Sequence, residues 1–100
     1  MDLSARNVFL VSYDVSDPKR LTKVRKTVLG FGEPVQLSVF LCELSAREKI
    51  ELKAALFEVI DTKADQVLFV NLGPIEGRGS EVIETLGRAH AEIDRHAVVI

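Results

Sequence analysis

The chain has too little cysteine to staple itself: Cys42 stands alone among 100 residues, so no internal disulfide can form. That agrees with a reducing compartment. No apolar run approaches the ~18–20 residues of a membrane span, so no spanning helix is expected. The opening residues, Met1 to Arg6, lack the basic start, apolar centre and cleavage site of a secretory signal, and cytoplasmic residence is the simplest expectation. Basic residues are not in excess either. Thirteen Lys and Arg face 15 Asp and Glu for a net charge of −2, which argues against indiscriminate nucleic-acid binding over the whole surface. Internal repeats and low-complexity stretches are missing as well. What is present is a 47% apolar and 28% charged composition, that of a globular chain. At this length it makes one domain with a modest core, to which oligomerisation would add useful burial.

Hydrophobic patterning sets out the elements. Val8 to Tyr13 is β-branched and aromatic and reads as a first strand. Asp17 before Pro18 is a helix start, with the carboxylate capping orphan N–H groups and proline tolerated at the first helical position. Leu21, Val24 and Val28 form the apolar stripe of that helix, which stops near Gly30 and Gly32. Val35 to Leu37 and Val39 to Leu44 read as two strands or one bent strand around Ser38. Ser45-Ala46-Arg47-Glu48 is a capping box, predicting a second helix from Ala46. That helix is expected to run through Ile50, Leu52, Leu56, Phe57 and Ile60, which cover its one broad face, and to end before Asp65. Val67 to Leu72 is a last core strand closed by Gly73-Pro74.

Strand, helix, strand, strand, helix, strand is the ferredoxin-like βαββαβ order, an α+β fold with two helices on one sheet face. A sheet so covered should alternate apolar and polar residues, because its other face meets water. Val8-Phe9-Leu10-Val11 and Val67-Leu68-Phe69-Val70 do not alternate, which predicts a homodimer packed sheet to sheet. Residues 1–74 are expected to form the core and 75–95 a linker carrying Gly77, Gly79 and Ser80. A short helix is allowed around Val82, Ile83 and Leu86, weakened by Gly87 by roughly 1 kcal/mol relative to alanine. The apolar end, residues 96–100, should add a strand to a sheet edge, its own or a partner's.

The chemistry concentrates in Tyr13-Asp14-Val15-Ser16-Asp17-Pro18-Lys19-Arg20. Capping explains Asp17 but not Asp14. A carboxylate where a strand leaves the sheet, beside Lys19, Arg20, Lys23, Arg25 and Lys26, suggests a hard metal ion working on a phosphodiester. The five cations, with no acidic residue among them, form the one phosphate-facing patch in the sequence. An isolated basic helix reads more simply as a solvated face, and the neighbouring carboxylates raise the functional reading.

Tyr13-Asp14-Val15-Ser16-Asp17, followed by Val35-Gln36-Leu37-Ser38-Val39-Phe40, resembles the paired motifs of the small CRISPR-associated endonuclease of spacer acquisition, the second of the two universal adaptation proteins. The likeness runs over roughly residues 7 to 72. It implies a ferredoxin-like homodimer in which Asp14 of each subunit faces its mate and the two share one Mg2+. It also implies that Ser38 and Phe40 lie near this site, where residues alone would allow a bulge at Ser38 and a core role for Phe40. Partners implied are duplex DNA (the protospacer) and dimers of the CRISPR integrase, with single-stranded RNA or double-stranded DNA as the substrate in members that cleave. Many members carry paired arginines where this chain has Arg20-Leu21, and a basic residue where it has Pro34.

Other classes fit less. A toxin-type ribonuclease of related fold would share the dimer and the strand-end carboxylate. A ferredoxin-like RNA-recognition module needs aromatic platforms in a basic-glycine-aromatic signature, and Phe9 and Phe40 sit in none. A regulatory small-molecule domain would need a glycine-rich ligand loop, which is missing. His90 and His96 have no zinc-like companions. Cys42, in an apolar strand, reads as a buried thiol, and Gly77-Arg78-Gly79 as a linker.

Overall fold

The computed structural model describes residues 5–76 and 83–88. Its elements are β1 (Arg6–Asp14), α1 (Pro18–Leu29), β2 (Glu33–Gln36), β3 (Val39–Ser45), α2 (Ala46–Phe57) and β4 (Gln66–Pro74). The strands form one antiparallel sheet in the order β2-β3-β1-β4, the ferredoxin-like arrangement expected from the sequence. Among the described residues no helix is long and apolar enough to cross a membrane.

Both helix starts form as their sequences dictate. Asp17 caps α1 by accepting from the Arg20 amide at 2.9 Å. Ser45 and Glu48 close the capping box of α2: the Glu48 amide donates to Ser45 Oγ at 3.1 Å, and the Ser45 amide to Glu48 Oε1 at 2.9 Å.

The core lies between the sheet and the two helices. β1 contributes Phe9, Val11 and Tyr13, β3 contributes Phe40, Cys42 and Leu44, and the helices contribute Val24, Val28, Leu52 and Leu56. Alternation along the strands turns Leu10, Val39, Leu41, Leu68 and Val70 to the other face. Leu68 and Val70 remain 51% and 45% exposed. Gly32 is where the chain passes tightly under this sheet. A Cβ there would collide with the Leu41 carbonyl oxygen and Cys42 Sγ. Burial beneath it pushes the Cys42 thiol up to about 11, which keeps it protonated and unreactive.

The structure corrects two expectations. Helix α2 ends at Phe57, because the amides of both Val59 and Ile60 turn back onto the Leu56 carbonyl. Its apolar residues do not share one face: Leu52 and Leu56 are buried, whereas Ile50 and Phe57 are each 66% exposed. At about 100° per residue, Ile50 and Phe57 lie together on a flank that turns away from the sheet. Val59 and Ile60 pack on the core from beyond the helix.

The ambiguity around Ser38 resolves into a hairpin whose turn is Leu37-Ser38. Two-residue hairpins prefer turns with positive φ, but no described non-glycine residue has one. The ladder instead shifts register between Pro34 and Gln36. Residues 83–88 form no helix. The expected strand at 96–100 and most of the linker lie outside the described residues.

Candidate functional site

Alternation at the end of β1 sends Tyr13 into the core and leaves Asp14 exposed. Tyr13 fastens the hairpin turn to the strand. Its phenol donates to the Leu37 carbonyl at 3.1 Å, and its amide donates to the Ser38 carbonyl at 3.1 Å. From α1, Arg25 Nη1 donates to the same Leu37 carbonyl at 2.9 Å, and its guanidinium lies 5.4 Å from the Phe40 ring centroid. Phe40 is fully buried, with its ring centroid 6.0 Å from that of Tyr13. Phe40 therefore supports the site from below without reaching its surface.

These contacts bring Asp14 and Ser38 to one cleft of about 560 Å3, walled by α1 and the turn, with Arg25 and Lys26 among its lining residues. The strand, the helix and the hairpin each contribute to it. The Asp14 side chain makes no hydrogen bond or ion pair with a described residue, and no cluster of three metal-ligating side chains occurs among them. A single chain thus presents one unengaged carboxylate at this point.

The basic segment splits by role. Lys19, Lys23 and Lys26 are exposed, and their i, i+4, i+7 spacing puts them on one face of α1. Arg20 turns the other way. Its Nε and Nη2 form a two-pronged pair with Asp65 at 2.8 and 3.2 Å, and Asp17 lies 3.9 Å from Nη1. The Asp65 side chain is fully shielded from solvent. The Arg20 hydrogen bond, then the Asp61 amide, hold the Asp65 carboxyl below its ordinary range, and the same bond raises Arg20. Arg20 therefore ties the start of α1 to the approach to β4, and its charge is already answered.

Sequence reasoning missed Tyr13 as the residue that pins the turn and Asp65 as the partner of Arg20. Arg20 and Asp65 stand 45 positions apart, so no local spacing could have paired them. Of the exposed apolar residues of the cleft, Leu37 was read only as a strand position and Leu29 was not singled out.

Known proteins share this architecture. The family pattern described as CRISPR associated protein Cas2 matches residues 7–76. A relative from Rhodospirillum rubrum, named a CRISPR-associated endoribonuclease Cas2, is 41% identical over 97% of this chain and 94% of its own length. A protein of the same name from Geobacter sulfurreducens is 36% identical over 94% of this chain and 98% of its own. The crystal structure of Streptococcus pyogenes Cas2 superposes with a TM-score of 0.71 at 38% identity, covering 80% of this chain and 99% of that one. A hypothetical protein from Thermus thermophilus superposes with a TM-score of 0.70 at 30% identity, covering 83% and 93%.

Proposed function

This chain belongs to the CRISPR associated protein Cas2 family, and on that premise we propose that it serves spacer acquisition as a homodimeric scaffold, holding duplex DNA against dimers of the CRISPR integrase. The observation that carries this reading is the second face of the sheet. Leu10, Leu41 and Val39 lie there beside Leu68 and Val70, both largely exposed in the single chain. A face meeting water would be polar. A second copy packed face to face is the partner whose surface matches it by symmetry.

The DNA contact falls to Lys19, Lys23 and Lys26. A stripe of exposed ammonium groups follows phosphates without reading bases, so binding depends on salt and little on sequence. Replacing all three with alanine removes them from both subunits and should flatten the log–log salt dependence of duplex binding by up to about five units, while sedimentation still reports a dimer. An unchanged slope would remove the lysines from the interface, and a wild-type monomer at working concentration would remove the scaffold.

A second reading, metal-dependent cleavage, is favoured by Asp14 and by the endoribonuclease names of the curated relatives. The residues fit a divalent ion: an exposed oxygen donor without a competing partner suits magnesium, which takes one or two carboxylates and keeps its waters. Asp14 and the partner's Asp14 would hold it. When bound, it supplies a Lewis acid that neutralises charge on the phosphodiester. This chain's own residues do the positioning. Tyr13 and Arg25 fix the turn that carries Ser38, and Lys26 offers positive charge to the strand being cleaved. Asp14→Asn should lower magnesium-dependent cleavage of short RNA or DNA by about 100-fold or more. Cleavage undiminished in the variant would assign the chemistry elsewhere.

A further inference from the structure

The cleft beside Asp14 has the mixed walls of a ligand site. Its volume of about 560 Å3 falls within the ~300–1,000 Å3 usual for small ligands. One wall is apolar, formed by Leu21 and Leu29 of α1 and Leu37 of the turn. Leu29 is 45% and Leu37 79% exposed, so both offer apolar surface that the described residues leave uncovered. The other wall is cationic. Arg25 donates one N–H to Leu37 and rests on Phe40, which fixes the guanidinium while leaving its other donors unspent among described residues. Lys26 adds an exposed ammonium, and Asp14 and Ser38 stand at the mouth.

The geometry points to a subsite for one unpaired nucleotide of a nucleic-acid strand. Its base lies against Leu21, Leu29 and Leu37, and its phosphate faces Arg25 and Lys26. The base edge or a ribose hydroxyl meets Asp14 and Ser38. The cationic wall selects an anion, and the leucines select a flat apolar body attached to it. A duplex satisfies only the first requirement, because its bases are paired and stacked; a base reaches an apolar wall once it is splayed out. The subsite rests on the nucleic-acid reading of the Asp14 site for the class of its ligand, but binding there requires no cleavage.

The test uses the full-length protein and short single-stranded RNAs, each carrying one 2-aminopurine at a different position, with a labelled DNA duplex titrated in parallel. Binding should change the fluorescence at one position more than at the others. The double variant Leu29→Ser, Leu37→Ser alters exposed positions and leaves the core intact. It should abolish that change and weaken single-strand binding about tenfold, as for the loss of one well-placed apolar contact, with duplex affinity held. Equal single-strand affinity in the variant, a signal independent of position, or a matching loss for the duplex would each overturn the subsite. Asp14→Asn separates it from the hydrolytic reading. A wild type that cleaves nothing yet gives the position-specific signal refutes hydrolysis and keeps the subsite, whereas cleavage without that signal does the reverse.

Discussion

Strand β1 begins and ends on charged residues, and the two ends are treated in opposite ways. At its start, Arg6 lies opposite Ser45 in the ladder and grips Glu48 at 2.8 and 3.1 Å, while Glu48 also completes the cap of α2. Every charge there has an answer within the chain. At its other end Asp14 has none among the described residues, although Tyr13 next to it spends both its amide and its phenol on the hairpin turn. One end uses polar groups to hold elements together. The other uses them to hold the surroundings still while one carboxylate is kept free, the arrangement a ligand site requires.

The paired end should yield the larger losses of stability. Ser45→Ala removes the cap of α2 and should cost about 1 kcal/mol, seen as a melting temperature lower by roughly 4–8 °C in a domain of this size, with nucleic-acid binding unchanged. Glu48→Gln probes the same end through pH. The Arg6 hydrogen bond, followed by the Ser45 amide, lowers the Glu48 carboxyl to about 2. A depressed carboxyl stabilises the fold above its unfolded value and loses that contribution as pH falls through the folded one. The difference in unfolding free energy between wild type and Glu48→Gln should therefore be full near neutrality and shrink between about pH 4.5 and 2. A difference that stays constant across that window would show that the pair does not carry it.

At the unpaired end the effects on stability should be smaller. Tyr13→Phe removes one donor from the Leu37 carbonyl, but Arg25 still satisfies that oxygen, so about 0.5–1 kcal/mol is expected. Hydrogen exchange should speed up at the turn before anywhere else. The smallest effect belongs to Asp14→Asn, whose melting temperature should match wild type. A clear drop there would mean that Asp14 is structural and would erase the contrast between the two ends.

What was legible in the sequence was what short-range chemistry decides. Asp17-Pro18 and Ser45-Ala46-Arg47-Glu48 mark helix starts because their caps close within three residues, and β1 and β4 are apolar enough to be strands in any context. The Leu37-Ser38 turn was illegible because it lacks the glycine or asparagine that announces a hairpin and is held by Tyr13 and Arg25 from elsewhere in the chain. The broad face assigned to α2 failed for a related reason, since apolarity alone did not tell Leu52 from Ile50. Within the site, Asp14 could be singled out because capping left it unexplained. The separation of Arg20 from the three exposed lysines required the position of Asp65, which only the folded chain supplies.

Cys42 gives the molecule an internal clock. Its thiol is fully enclosed beneath Gly32 and held protonated, so an alkylating reagent can reach it only when the layer over that face of β3 lifts away. No other cysteine competes for the label. The pace at which Cys42 reacts then measures how often the core between sheet and helices opens, and a partner that stabilises the fold by closing over the far face of the sheet would slow it without touching the sulfur.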